Sequence, residues 1–530
     1  MKISTCLAVA LLSLSSMSAF AQDAESDLKG ELKFENVTVS GGYAQGSTPM
    51  VATSEGNIVV TGTTANAMSG VGSFIAMSAK DMPATPIWTV DLAGSNIVTS
   101  IVADADGGVF IGGNFKKALS LGSIDLVGNS ADDQRSSFVA HINKNGEVVA
   151  AKAFVADLNE ELKSDYYTEE STVCNLSQLA FVNGKLYAGF TFDNILKSSD
   201  GSKQLAASVG SDFGYKAAAK TYTIAELDLD KMGIVDFPII FGGKESSFDA
   251  GSTRFAIDCS TLYLAAQTAG YTPIACLWIN GEFKDSKEYH YESGCINGYY
   301  LAKIDMATNT LVASQDYDGV YAYKSGSTER ALNSLELVDG NLLLAGSFIQ
   351  KCPLMPSIEA VGNSDLFVAT LDKSDLSVKK VLSSKYDETN GGANKYYFET
   401  YSTHAVDGKI LSISGGVGNK DYNGTTYLTP LLFNVDDYTA ADALGENEAE
   451  STDDYITGTL INDGNLYVAM LSNKQTSYYY GYEAVPSTGV KAVEASTFSK
   501  DAVIYNLQGM KLRAPQKGLN IINGKKVVIK

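Results

Sequence analysis

Residues 332–348 read Leu332-Asn333-Ser334-Leu335-Glu336-Leu337-Val338-Asp339-Gly340-Asn341-Leu342-Leu343-Leu344-Ala345-Gly346-Ser347-Phe348. Two apolar runs, 335–338 and 342–348, meet at Asp339-Gly340, a dipeptide that suits the positive φ angles of a tight hairpin turn. After Gly362-Asn363-Ser364 a second pair follows, 366–371 and 376–382, closed by Lys373-Ser374-Asp375. The unit 332–384 is therefore four short antiparallel strands. Its recurrence along the chain predicts a β-propeller.

The same order recurs on either side. Toward the N-terminus the strand quartets are 50–53, 58–63, 74–78 and 87–92; then 97–103, 109–115, 138–142 and 148–154; then 179–182, 186–192, 223–227 and 234–240; then 254–257, 262–268, 300–304 and 310–314. Toward the C-terminus a sixth copy runs 401–406, 410–414, 427–433 and 438–444. The seventh has only 456–461, 466–471 and 478–485. The run 32–39 has no partner near it, so it is expected to supply the missing strand, which would remove an open sheet edge. Runs such as Ile58-Val59-Val60 and Leu342-Leu343-Leu344 are apolar on consecutive positions, as in strands covered on both faces. The expected fold is all-β: a seven-bladed β-propeller of four-stranded blades over 22–495, closed by the N-terminal strand, with a small C-terminal β module over 496–530. An open ring or another blade count is the alternative.

At Asp106-Gly107-Gly108-Val109-Phe110-Ile111-Gly112-Gly113-Asn114-Phe115 the chain resembles a bacterial β-propeller repeat family found in secreted proteins. The likeness continues through Phe138-Val139-Ala140 to Asn145-Gly146 and returns at Asp339-Gly340, Ala345-Gly346-Ser347-Phe348 and Phe367-Val368-Ala369. It covers about 50–470, and only the second and fifth repeats match closely. The resemblance implies the fold and no activity, because that family shares no catalytic residues.

The N-terminus reads as a secretory signal over 1–21: Lys2, an apolar run from Cys6 to Leu14, and Ala19-Phe20-Ala21 before Gln22. No stretch has the length of a transmembrane helix. A formal charge of −21, from 61 acidic and 40 basic residues, argues against nucleic acid and anionic membrane surfaces as partners. The six cysteines fall to five after the signal, an odd number. Cys276 and Cys295 flank one connection and are the candidate disulfide; otherwise they serve as small apolar residues. The tail, with Val503-Ile504-Tyr505-Asn506-Leu507-Gln508-Gly509 and Asn523-Gly524-Lys525-Lys526, is similar to the terminal sorting domains of the type IX secretion route. That resemblance implies contact with the export machinery and a cell-surface or extracellular location. Periplasmic residence is the alternative.

In an up-and-down meander the turns within hairpins lie at one end of every blade, and the other connections at the opposite end. The long connections 156–175, 193–220, 269–297, 316–330, 385–395 and 445–454 all belong to the opposite end, where binding sites on rigid β scaffolds concentrate. Their aromatics Tyr166, Tyr167, Tyr271, Trp278, Tyr289 and Tyr291 are the candidate ligand-binding residues, suited to stacking on sugars or anchoring a protein. Catalysis has no motif behind it. His141 and His404 fall in strands. His290, with Glu288 and Glu292, reads as a solvated loop rather than a metal site. Asp104-x-Asp106 and Asp228-x-Asp230 open like calcium loops but read as turns. No metal site and no cofactor is expected. The leading expectation is a non-catalytic binding protein that recognises a protein or a glycan through its long-loop face. An extracellular polysaccharide hydrolase or lyase using loop carboxylates is the alternative, and a purely structural envelope component a third reading.

Overall fold

The computed structural model describes residues 30–33, most of 49–483 and four short strands between 504 and 529; connections such as 161–171, 244–252, 290–295, 318–331, 384–395 and 443–454 lie outside that description. Every element among the described residues is a β-strand, and every strand-to-strand ladder is antiparallel. The repeating unit is a four-stranded meander. In the fifth sheet Leu332–Val338, Asn341–Phe348, Asp365–Leu371 and Val378–Ser383 pair in chain order, as the opening stretch predicts. Corresponding quartets begin at Met50, Asn96, Cys174, Thr253 and Tyr396.

Sheet seven is completed from the other end of the chain. Tyr455–Asn462, Asn465–Ser472 and Gln475–Glu483 are consecutive, and the fourth strand is Gly30–Lys33, with Glu31 opposite Tyr479. The expected strand 32–39 thus begins two residues earlier, and 34–39 lie outside the described residues. The first strand of each sheet packs against the first strand of the next in chain order. Tyr455–Asn462 also packs against Met50–Ala52.

The core is divided among the seams. Val59 and Ile75 meet Val98, Ile111 and Phe138 between the first and second sheets. Ile58, Val60 and Phe74 meet Leu460, Tyr467 and Ala469 between the first and seventh. One strand therefore buries alternate residues in two different seams, which is why its apolar residues run consecutively. Across the latter seam the Tyr467 hydroxyl donates to the Lys80 carbonyl at 2.8 Å.

First strands carry a bulge near their start, at Val98/Ser100, Leu176/Gln178 and Leu332/Ser334. A bulge turns the local side chains out of the ladder, and here they tie one sheet to the next. Thr99 donates to the Leu176 carbonyl at 2.9 Å, and Ser100 accepts from the Leu179 amide at 2.9 Å. Gln178 brackets Phe255, accepting from its N–H at 3.1 Å and donating to its C=O at 2.8 Å.

Two of the predicted long connections, 193–220 and 269–297, contain hairpins, and so does the connection 116–135, which is not among them. Ala118–Leu121 with Ile124–Val127 extends the first sheet, Ile195–Ser198 with Gln204–Ala206 extends the second, and Ile274–Ile279 with Glu282–Glu288 extends the third. Each hairpin leaves the middle of one sheet and adds two strands to the outer edge of the preceding one. Buried Leu119, Leu121 and Leu196 fix them there. Ion pairs then reach back to the parent sheet, Lys203–Asp236 at 3.5 Å and Lys287–Asp316 at 3.5 Å.

Candidate functional site

The register of the third sheet sets three polar side chains in a row. Tyr187 stands opposite Glu226, and Glu226 stands opposite Asp236. Residues opposite one another on adjacent strands share a face, and this face looks into the seam with the fourth sheet. There the row lines a cleft of about 410 Å³, floored by Pro238, Ile239 and Ile279. Lys185 at its mouth pairs with Glu226 at 3.0 Å.

The rim is made of turns, and their backbone is unusual. Asn183, Cys259, Asn280 and Asn309 all line the cleft, and all have positive φ, between 47° and 56°. Asparagine tolerates this left-handed conformation; Cys259 occupies the turn where the sequence lacks the usual glycine. Hydrogen bonds fix the rim: Asn183 Nδ2 to the Cys259 carbonyl at 3.1 Å, the Asn280 amide to the Pro238 carbonyl at 2.8 Å, and the Met306 amide to the Ser260 carbonyl at 2.9 Å.

Burial raises the Tyr187 phenol above its ordinary range, with the Glu226 charge adding to the effect. It therefore stays protonated near neutrality and acts as a hydrogen-bond donor rather than a base. The Lys185 ammonium is held in its charged form chiefly by its hydrogen bond to Glu226. The cleft thus offers donors and acceptors around an apolar floor, which is the chemistry that receives a polyhydroxylated ring.

The cleft lies at the end of the sheets that carries the turns within hairpins, and the hairpin inside the long connection 269–297 reaches it through Ile279 and Asn280. Among the six residues predicted for ligand binding, Tyr166, Tyr167, Tyr271 and Tyr291 lie outside the described residues. Tyr289 is 1% exposed and packs against Gly298 in the core between the third and fourth sheets. It is no exposed stacking surface, because the strand Glu282–Glu288 before it leads the chain inward. Trp278 is half-buried on the inserted hairpin, edge-on to Phe283 with ring centroids 6.0 Å apart. Cys276 is buried, and its expected partner Cys295 lies outside the described residues.

His141 stacks on Phe110 and meets Asp104 at 2.7 Å, while Asp104 Oδ1 accepts from the amides of Asp106 and Gly108. Asp228 accepts in the same way from Asp230 and Lys231. Both aspartates cap turns. His290 lies outside the described residues, and the side chains of the strand holding His404 are likewise not described.

Deeper in the fourth and fifth sheets, Arg254 and Glu336 stand on first strands. Enclosure pushes the Glu336 carboxyl up to about 8, against the opposing pull of the Arg254 charge.

No family model matches the chain, and no curated protein sequence does. Solved structures do resemble it. A PL25 ulvan lyase, a polysaccharide lyase, is 8% identical with a TM-score of 0.40, covering 86% of this chain and 96% of the lyase. Domains 1–2 of Drosophila semaphorin 1a are 10% identical with a TM-score of 0.37, covering 88% and 90%. A GH43 endo-arabinanase from Bacillus licheniformis is 13% identical with a TM-score of 0.27, covering 64% and 95%. All three TM-scores fall below 0.5, so the fold rests on the strand pairing itself.

Proposed function

We propose that this chain is an exported, seven-bladed β-propeller that binds a neutral glycan in the cleft between its third and fourth blades. Support for the ring comes from the sequential packing of first strands, from the contact between the seventh and the first, and from Gly30–Lys33 completing the last blade. The observation that carries the binding reading is the row Tyr187–Glu226–Asp236 over an apolar floor. Each carboxylate of the cleft already has an ammonium partner, Lys185 for Glu226 and Lys203 for Asp236, so no uncompensated positive charge is left to favour uronates or sulfated sugars.

A glycan array probed with the intact protein tests this reading. Neutral oligosaccharides are expected to be retained without release of product. Ala307→Trp, placed on the exposed turn that lines the cleft, is expected to weaken that binding at least tenfold while leaving the melting temperature unchanged. Retention of anionic glycans alone, or full binding by Ala307→Trp, would sink the proposal.

A specific geometry favours one second reading, a polysaccharide hydrolase or lyase. Glu226 and Asp236 are opposite one another on adjacent strands, so the carboxylate pair such an enzyme needs is present, though on strands rather than in loops. Product release from a retained polysaccharide, lost in Glu226→Gln, would establish that reading instead.

The signal read over 1–21 and the basic tail support export in this proposal, to the cell surface with the periplasm as the alternative. The tail forms its own four-stranded sheet from Ile504–Tyr505, Lys511–Leu512, Gly518–Ile522 and Lys525–Ile529. Removing 496–530 is expected to leave the unfolding midpoint of the propeller unchanged and to retain the protein within the cell envelope. Normal surface display of the truncated chain would remove the sorting role.

A further inference from the structure

Three of the parts that line the cleft between the third and fourth sheets are the fourth strand of one sheet, the turn of the hairpin added to its edge, and the second hairpin turn of the next sheet. The same three parts meet between the first and second sheets. There the strand Trp88–Ala93, the hairpin turn at Gly122-Ser123 and the turn at Gly146-Glu147 surround a groove of about 640 Å³. The correspondence is one of position and not of residue type: Val59, Met77 and Trp88 stand in the first sheet where Tyr187, Glu226 and Asp236 stand in the third.

The groove has its own recognition chemistry. Asp91, Ser120, Ser123 and Glu147 line it. Trp88 flanks it, half-buried, with its ring against Gly146 and its Nε1 donating to the Lys144 carbonyl at 2.9 Å across the seam. Asn143 Nδ2 donates to Glu147 at 2.8 Å and fixes the carboxylate at the rim. Two carboxylates and two serine hydroxyls around one groove offer sugar hydroxyls both acceptors and donors, while Trp88 braces the wall behind Gly146.

We propose that the seam between the first and second sheets is a second saccharide site, equivalent by position to the one between the third and fourth. The proposal rests on the glycan-binding reading above. One chain then engages a polysaccharide at two points on the same end of the fold. The second contact becomes intramolecular, which raises apparent affinity for the polymer well above that for a single short oligosaccharide.

Calorimetric titration of the intact protein with neutral β-glucan, mannan and xylan pentasaccharides, and with their parent polymers, tests the inference. Two equivalents of one pentasaccharide are expected to bind. Ser123→Trp, on the exposed turn of the first groove, should reduce the stoichiometry to one and weaken binding of the parent polymer roughly a hundredfold. Ala307→Trp should do the same from the other seam, and the double variant should bind neither form. Asp91→Lys provides a second variant of the first groove that fills no space. If Ser123→Trp and Asp91→Lys leave stoichiometry and polymer affinity unchanged while Ala307→Trp abolishes binding, the second site is wrong and the first stands. If Ala307→Trp changes nothing, or if no member of the panel binds, the glycan reading falls and the second site with it.

Discussion

Glu336→Gln is expected to stabilise the protein at pH 8 and to reduce the fall in stability between pH 5 and 8. In the unfolded chain a glutamate titrates near 4.5, whereas the enclosed Glu336 carboxyl titrates at about 8. Below both values it is protonated in either state, and the difference contributes nothing against folding. Above 4.5 the unfolded chain loses its proton while the folded chain keeps it, so folding weakens by about 1.4 kcal/mol per pH unit until the folded value is reached. At pH 7 that amounts to about 3 kcal/mol. Glutamine keeps the shape and has no proton to lose. Urea unfolding of both chains at pH 4.5, 6, 7 and 8 provides the check. The two should agree at the lowest pH and diverge upward; parallel curves would show that Glu336 ionises freely in the folded protein.

Gly113→Ala is expected to destabilise the fold by about 3 kcal/mol, a large effect for one methyl group. A Cβ built at Gly113 would stand 2.1 Å from the Ile97 carbonyl oxygen and 2.9 Å from both the Val98 Cα and the Phe138 ring. The first of these obstacles is backbone within the paired ladder Asn96–Ala103 and Val109–Phe115, so no rotamer change relieves it. Gly233→Ala is the matched control, since a Cβ there meets nothing within 4 Å. It should change stability by less than about 0.5 kcal/mol. Equal unfolding midpoints for the two variants would contradict the close approach of the strands at Gly113.

The meander was legible because its turns announce themselves. Asp339-Gly340 and Asn183-Gly184 end one apolar run and start the next, and the described strands begin within a few residues of those marks. The inserted hairpins were not legible. Ala118–Leu121 and Ile124–Val127 are four residues each, too short for alternation to separate them from a loop, and their role depends on an edge supplied by another sheet. Tyr289 misled for a related reason: an aromatic in a long connection reads as exposed until the strand leading into it is known.

The candidate cleft was missed because it is assembled from residues far apart in the chain, from Asn183 to Asn309, that only the seam brings together. One signal was available. Polar residues cap the second hairpin turn of successive sheets at Asn143, Asp228, Asp305 and Asp372, each accepting from backbone amides two to four residues on. That recurrence marks the hairpin-turn end of the fold, and asparagines at left-handed positions crowd there.

Closure of the ring by the two ends of the chain is the claim on which the seven-bladed reading depends. Glu31 and Tyr479 are register partners, and opposite residues on antiparallel strands have Cα atoms about 4.5–5.5 Å apart, a separation a disulfide can span. In a Cys259→Ser background, Glu31→Cys with Tyr479→Cys should therefore oxidise to an intramolecular cross-link in nearly every molecule. Because that bond joins the ends of almost the whole chain, it should also raise stability by about 4 kcal/mol. A cross-link no more frequent than that of the unpaired control Glu31→Cys with Asp236→Cys would mean that the N-terminal strand does not complete the last sheet.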